Sequence, residues 1–138
     1  MKPILLDSGV LVALFDRSEQ HHDVCREFVE EAKNPLVTCE AVVVESCYLL
    51  RLLAGAPERI LANVAAGIFQ IPMQLSLAAE SVQKIFAKYR DREIDLADAC
   101  LIHLANELGT GDILTLDRDF HVYRWGRNQP FRMVIPLR

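Results

Sequence analysis

The sequence predicts an α/β fold in which a short parallel sheet is covered by helices on both faces. Two observations lead to this class. Short apolar runs that suit buried strands alternate along the chain with stretches of helical periodicity, a pattern typical of repeated β-α-β units. The chain has 138 residues, 51% of them hydrophobic and 25% charged, which is the size and composition of one soluble domain. We therefore expect one domain over residues 1–138.

The first predicted unit is a strand, a turn and two helices. Residues 3–6 form an apolar run that ends at Asp7-Ser8-Gly9, and residues 10–15 continue without alternation, as a buried helix would. Residues 21–33 follow as a charged amphipathic helix, which Asn34-Pro35 ends.

The second predicted unit repeats this order. Residues 36–37 are a minimal buried strand, and Thr38 is suited to cap a helix that runs to about residue 54. A third helical segment covers residues 57–69, and residues 72–75 are a candidate for the next strand.

The last part of the chain supplies two helices and two strands. One helix is predicted over residues 78–89, and a strongly apolar helix over residues 96–108 is capped by Asp95 and closed by Gly109. The remaining strand candidates lie at residues 113–116 and 133–137.

Charge is unevenly distributed along the sequence. The 15 basic and 19 acidic residues give a net charge of -4, which disfavours a protein that simply coats nucleic acid. From residue 118 onward, however, five arginines stand against a single acid. A basic segment of this size is either a solvated surface or a binding surface for anions.

Several other classes of protein lack support. Polar residues interrupt the longest charge-free run, between Arg59 and Glu80, which argues against a membrane span. The histidines and cysteines show no zinc-binding spacing, and phosphate-loop, dinucleotide and nucleophile-elbow motifs are absent. Because there is no C-x-x-C pair and no signal-peptide pattern, we expect a reduced, cytoplasmic protein. We also expect the histidines to be solvated and the cysteines to be buried.

Two acids directly follow predicted strands. Asp7 comes after the run at residues 3–6 and Asp117 after the run at residues 113–116, so each should emerge at the carboxyl end of a parallel strand. Open α/β sheets bind ligands at this edge. Either residue alone could merely start a turn, but two such acids at one edge favour a functional site.

Two further acids lie within apolar helical stripes. Apolar neighbours one and two turns away from Glu45 predict a core-facing carboxylate on a central helix. Asp98 also has apolar neighbours one and two turns away, although it could instead simply be an acid that stabilises the N-terminus of its helix. Because buried charges need partners, four carboxylates directed into one core make sense mainly around cations. Ligation by oxygen alone indicates Mg²⁺ or Mn²⁺, and with it phosphoester chemistry.

Four segments, in this order, resemble the motif series of PIN-domain ribonucleases, and the chain is similar in size to VapC-type toxins of toxin-antitoxin pairs. The segments are Ile4-Leu5-Leu6-Asp7-Ser8-Gly9-Val10, Val42-Val43-Val44-Glu45, Asp95-Leu96-Ala97-Asp98-Ala99 and Leu114-Thr115-Leu116-Asp117-Arg118-Asp119-Phe120. The resemblance implies a single PIN-like domain and a metal-dependent endoribonuclease that uses Mg²⁺ or Mn²⁺ to cleave RNA. It also implies an antitoxin protein as partner and a homodimer as the assembly.

The resemblance assigns roles to particular residues. The catalytic and metal-binding acids would be Asp7, Glu45, Asp98 and Asp117. The accessory residues near this cluster would be Asp119, Thr115 and Ser8. The candidates for contacts with RNA phosphates are Arg118 and Arg124, since a guanidinium group suits an anion.

Other interpretations of the sequence stay open at this point. The chain could be an RNA-processing PIN nuclease without an antitoxin, or a non-catalytic PIN-like interaction module. Aspartyl-phosphate chemistry fits poorly, because Gly9 stands where a D-x-D motif would have its second acid. The apolar segment at residues 60–69 could cover a partner or pack into the core.

Overall fold

A parallel five-stranded sheet forms the centre of the fold in the computed structural model, which describes residues 1–135. Within this range the chain forms seven strands: β1 (Ile4–Leu6), β2 (Leu36–Val37), β3 (Phe69–Gln70), β4 (Asp112–Leu114), β5 (Arg124–Trp125), β6 (Gln129–Pro130) and β7 (Arg132–Met133). The order across the sheet is β3-β2-β1-β4-β7, while β5 and β6 form a separate antiparallel hairpin.

Helices connect the parallel strands. They are α1 (Ser8–Phe15), α2 (His22–Glu31), α3 (Glu40–Leu49), α4 (Ala56–Ala65), α5 (Leu75–Lys88) and α6 (Leu96–Leu108). Because crossovers between parallel strands are right-handed, α1 to α4 lie on one face of the sheet and α5 and α6 on the other. The predicted α/β class, with helices on both faces of a short parallel sheet, is confirmed.

The chain changes direction across the sheet at β1. The first two crossovers carry it from β1 to β2 and on to β3, whereas the third returns it to β4 on the opposite side of β1. The gap between β1 and β4 is therefore the switch point of the sheet. Ligands of open α/β folds bind at the carboxyl ends of the strands at such a point.

The most central helix is α6, in which every residue from Ala97 to Ala105 is buried. As predicted, the carboxylate of Asp95 caps its first turn and Gly109 closes it with φ +67°, a left-handed conformation that favours glycine. His103 is buried in this helix, so the prediction that it is solvated was wrong. None of the helices in the described part of the chain is long and apolar enough to cross a membrane.

The third strand lies earlier than predicted. The helix expected over residues 57–69 ends at Ala65, because Gly67 takes a left-handed conformation at φ +78° and reverses the chain. Phe69 then pairs in register with Leu36, whereas the residues predicted as a strand, 72–75, lead into α5. The strand prediction at residues 72–75 was therefore wrong.

The ends of α3 also differ from the prediction. Thr38 does not cap the helix, because its hydroxyl donates a hydrogen bond of 2.9 Å to the carbonyl of Leu6 and ties β1 to the residue after β2. The helix ends at Leu49 rather than near residue 54, since buried Leu50 joins the small apolar cluster around Ile60. The last strand is β7, and of the predicted strand at residues 133–137 positions 136 and 137 lie outside the described residues.

Candidate active site

Three aspartates meet at the switch point of the sheet. Asp7 directly follows β1, Asp117 follows β4 by three residues, and Asp98 projects from the first turn of α6. One carboxylate oxygen of each lies within 4.8 Å of the corresponding oxygens of the other two. Asp7 and Asp117 lie 110 positions apart in the sequence, and the parallel topology brings both of them together with Asp98.

Asp7 is held in place on both of its carboxylate oxygens. The backbone N–H of Ser8 donates to Oδ1 at 2.7 Å, and the hydroxyl of Thr115 donates to Oδ2 at 2.6 Å. Burial raises the pKa of Asp7 to about 6, while these two hydrogen bonds oppose that rise. The side chain is only 5% exposed, so its orientation is set by the protein rather than by solvent.

Asp98 has the more strongly perturbed carboxyl group. Burial, and after it the negative charges of Asp7 and Asp95, raise its pKa to about 8. The hydroxyl of Tyr123 donates to Asp98 Oδ2 at 3.4 Å, and burial raises the pKa of Tyr123 so that it stays a donor. In the absence of a cation, the ionised form of this cluster is therefore unfavourable.

Asp117 is more accessible than the other two aspartates. Its backbone N–H donates to the hydroxyl of Thr115 at 3.0 Å, and its Oδ1 accepts a hydrogen bond of 2.9 Å from the backbone of Asp119. The side chain of Asp119 is directed elsewhere, since its carboxylate pairs with Arg92 at 3.9 Å. Asp119 thus supports Asp117 through its backbone, and its side chain does not line the cleft among the acids.

Glu45 lies beside the three aspartates rather than among them. It accepts a hydrogen bond of 2.8 Å from the hydroxyl of Ser8, which links α3 to the start of α1. The helix around it is not buried on all sides as the apolar stripe predicted, because Val44 and Tyr48 are 68% and 61% exposed. Glu45 is consequently half-buried at the wall of the site.

The acids line a shallow cleft with a volume of about 570 Å³, which we call the acid cleft. Six of the predicted site residues line its walls: Asp7, Ser8, Glu45, Asp98, Asp117 and Arg118. Asp95 also lines it, although the sequence predicts this residue only as a helix cap. The sequence signal for including Asp95 in the site was its position three residues before Asp98, at the same end of α6.

Arg124 lies apart from the acid cleft. Its Nη1 donates to the carbonyl oxygens of His121, Val122 and Tyr123, which closes the turn before β5. The side chain instead lines a different cleft beside α5 and α6. Of the two predicted phosphate-binding arginines, the structure thus puts only Arg118 beside the acids.

The donor set fits a hard divalent cation. It consists of carboxylate oxygens from three aspartates, and the side-chain nitrogens and sulfurs that would favour zinc or copper do not line the acid cleft in residues 1–135. A cation among these oxygens would offset both the burial and the mutual repulsion that raise the pKa of Asp7 and of Asp98.

Comparisons with known proteins agree with this geometry. The family model of the PIN domain matches residues 4–126. Ribonuclease VapC26 of Mycobacterium tuberculosis (strain ATCC 25618 / H37Rv) is 32% identical over 117 residues, which is 83% of this chain and 87% of that relative. The crystal structure of Mycobacterium tuberculosis VapC20, described as a Sarcin-Ricin loop cleaving toxin, has a TM-score of 0.80 at 18% identity and covers 92% of this chain and 99% of its own.

The fold and the site define a parallel α/β protein with an acidic centre at the switch point of its sheet. The chain belongs to the PIN-domain family, and the family prediction drawn from the four sequence motifs is confirmed. The likeness to VapC20 supports the fold across nearly the whole chain.

Proposed function

We propose that this protein is a metal-dependent endoribonuclease that hydrolyses phosphodiester bonds in RNA. The observation that carries the proposal is the cluster of Asp7, Asp98 and Asp117, whose oxygens lie within 4.8 Å of one another at the sheet edge of a PIN fold. The 32% identity to a protein named ribonuclease VapC26 supports RNA as the substrate.

The cation of this proposal is Mg²⁺ or Mn²⁺, held by Asp7, Asp98 and Asp117, with Glu45 as a direct or outer ligand. Such an ion, when bound, stabilises negative charge on phosphate oxygens and lowers the pKa of water. The residues of the chain orient the acids: Thr115 and the backbone of Ser8 hold Asp7, and Tyr123 holds Asp98. Arg118 at the cleft wall is suited to contact a substrate phosphate.

The acid cleft also indicates which products to expect. We propose water as the nucleophile rather than the ribose 2′-hydroxyl, because the cation of this proposal would lower the pKa of water. Attack by water should leave a 5′-phosphate and a 3′-hydroxyl. Cyclic 2′,3′-phosphate ends would contradict this proposal.

The test is cleavage of a labelled RNA by the purified protein. We expect chelator to stop cleavage, Mn²⁺ or Mg²⁺ to restore it, and Asp7→Asn and Asp98→Asn to abolish it. Asp91→Asn is the matched control, because it removes the same charge from an exposed turn outside the acid cleft. Activity that persists in chelator or in the Asp98→Asn protein would overturn the proposed function.

We further propose that the enzyme is the toxin of a toxin-antitoxin pair and acts in the cytoplasm. The similarity to two VapC proteins supports this assignment, and the free cysteines suit a reducing compartment. The acid cleft, with five carboxylates against one arginine, complements a basic segment of an antitoxin. Co-expression with the product of the adjacent reading frame should give a stable complex in which RNA cleavage is suppressed. RNA cleavage that continues in the presence of that product would favour an RNA-processing nuclease.

A homodimer is the assembly that we propose for this toxin. Its support is an exposed apolar surface on α3 and the turn after it, which we call the α3 face: Val44 and Tyr48 of the helix are 68% and 61% exposed, and Leu52 of the turn is 89% exposed. The segment at residues 60–69 contributes less than expected, because Ile60 and Phe69 are buried and only residues such as Leu61 and Ile68 are about half exposed.

A further inference from the structure

A second cleft lies between α5, α6 and the β5–β6 hairpin. It has a volume of about 300 Å³, and basic side chains from all three elements line it: Lys84 and Lys88 from α5, His103 from α6 and Arg124 from β5. We call it the basic cleft.

Its charge is opposite to that of the chain as a whole. Three cationic side chains line the basic cleft against one carboxylate, that of Glu107, whereas the whole chain carries a net charge of -4. Lys84 and Lys88 lie one helical turn apart on α5, a spacing at which like charges repel each other. An anion between them would relieve this repulsion.

Several donors in the basic cleft are left for a ligand. The Nη1 group of Arg124 is bound to backbone carbonyls, which fixes the guanidinium plane and leaves Nε and Nη2, for which residues 1–135 supply no acceptor. The Oδ1 of Asn106 accepts a hydrogen bond of 2.6 Å from the backbone of Gly126, which leaves its amino group as a donor. These are the groups that bind phosphate oxygens.

The basic cleft adjoins the acid cleft through two aromatic rings. The Tyr89 hydroxyl accepts a hydrogen bond of 2.8 Å from the backbone of Arg124, and its ring packs edge-on against Tyr123 at 5.1 Å between centroids. Tyr123 in turn donates to Asp98. Along α6, the eight residues from Asp98 to Asn106 correspond to a rise of about 12 Å, a distance that one strand of RNA spans with a few nucleotides.

We propose that the basic cleft binds backbone phosphates of the RNA strand whose scissile bond lies in the acid cleft. The proposal rests on the proposed ribonuclease function and adds to it a phosphate subsite built from Lys84, Lys88 and Arg124. Because phosphate contacts position a strand without reading its bases, this subsite raises affinity for RNA of any sequence.

The lysine content of the chain provides a matched test. It has four lysines, two in the basic cleft and two, Lys2 and Lys33, at exposed positions outside it. The experiment measures binding of a labelled single-stranded RNA by fluorescence anisotropy over a range of salt concentrations, in chelator, for Lys84→Gln/Lys88→Gln and for Lys2→Gln/Lys33→Gln. A thermal melt of each protein verifies that it is folded.

The expected result is a change in the salt dependence of binding. Each lost phosphate contact makes the negative slope of log K against log salt shallower by about 0.7 for a single strand. The slope of the Lys84→Gln/Lys88→Gln protein should therefore be shallower than that of the wild type by about 1.4. The Lys2→Gln/Lys33→Gln protein should keep the slope of the wild type. The Lys84→Arg/Lys88→Arg protein should keep it too, because arginine retains the positive charge. Equal slopes for the two glutamine pairs would overturn the proposal.

The same proteins separate this proposal from the proposed function. A reduced slope in a chain that never cleaves RNA supports the basic cleft as an RNA site and refutes the ribonuclease assignment. Metal-dependent cleavage by the wild type together with an unchanged slope refutes the basic cleft alone.

Discussion

The hydroxyl of Thr115 donates a hydrogen bond of 2.6 Å to Oδ2 of Asp7, across the gap between the ends of β4 and β1. The same hydroxyl accepts the backbone N–H of Asp117. One buried oxygen therefore connects two of the three clustered acids. It keeps the carboxylate of Asp7 oriented even though burial favours its neutral form.

The first prediction is that Thr115→Val lowers both stability and cation affinity. Valine fills the same space but leaves Asp7 without its side-chain donor and the N–H of Asp117 without an acceptor, beside a fully buried position. An unsatisfied buried group costs about 1–3 kcal/mol, which urea unfolding would detect. Because the lost bond favours the ionised acid, the pKa of Asp7 should also rise above about 6.

Thr115→Ser is the control for this prediction, since it keeps the hydroxyl and removes only a methyl group. Serine should retain most of the Mn²⁺ affinity that valine loses, as measured by titration calorimetry. Equal Mn²⁺ affinity in the valine and serine proteins would show that the hydroxyl does not orient Asp7.

The second prediction concerns the pH dependence of stability in chelator. The folded-state pKa of Asp98, about 8, lies above the value of 3.8 for an unperturbed aspartate, so the folded protein binds more protons than the unfolded one between these values. Stability should therefore fall as pH rises from about 4 to about 8. Asp98→Asn removes this charge, so its melting temperature should exceed that of the wild type by several degrees at pH 8.

The difference should shrink toward pH 4, where Asp98 is protonated in both states and carries no charge to repel. Asp91→Asn, on an exposed turn, should show no such trend. If Asp98 only decorated the start of α6, the asparagine protein would melt slightly below the wild type at every pH.

The sequence predicted the acids because they occur at apolar positions, where a charged side chain is unfavourable. Asp7 follows a strand with three fully apolar residues, and Asp98 lies in the apolar stripe of α6, so each needed an explanation beyond solvation. The end of α6 was equally predictable, since the N-cap Asp95 and the left-handed Gly109 are local signals.

Features that depend on packing between distant segments were not predictable. His103 is buried because α5 and the hairpin pack over its face of α6. The residues next to His103 in the sequence do not indicate that these distant segments pack there. The basic cleft likewise combines residues from three elements whose spacing in the sequence is unremarkable. Glu45 was expected in the core because its neighbours are apolar, but the apolar face of α3 is directed to the surface.

The third prediction tests that exposed face as the dimer interface. Leu52→Glu puts a charge in the turn after α3, at the most exposed apolar position of the α3 face, and should convert the dimer to a monomer in light scattering. Leu77→Glu is the control, because Leu77 is 82% exposed and belongs to α5 rather than to α3 or the turn after it. A wild type that is already monomeric, or two glutamate variants that both stay dimeric, would contradict this interface.

The fourth prediction concerns the packing of the hairpin that carries Arg124. A methyl group at Gly111 would overlap the indole ring of Trp125, whose Nε1 donates to the carbonyl of Pro130 at 3.1 Å. Gly111→Ala should therefore displace Trp125 and loosen the pairing of β5 with β6. Overpacking of this kind typically costs about 1–3 kcal/mol, so the melting temperature should fall by several degrees. Because Trp125 is the sole tryptophan of the chain, its fluorescence should shift toward that of a solvated indole in the same protein.

Gly9→Ala is the control for the hairpin prediction, because its added methyl group would meet only the Cβ of Leu116 at an ordinary contact distance of 3.8 Å. That variant should keep the emission spectrum of the wild type, and its melting temperature should not fall, because alanine is favoured over glycine within α1. In Gly111→Ala the clustered acids are untouched, so Mn²⁺ affinity should persist while the salt dependence of RNA binding weakens with the displaced Arg124. A Gly111→Ala protein with wild-type fluorescence and stability would show that Trp125 moves aside without cost. Loss of Mn²⁺ binding in that protein would instead show that the hairpin supports the acid cleft directly.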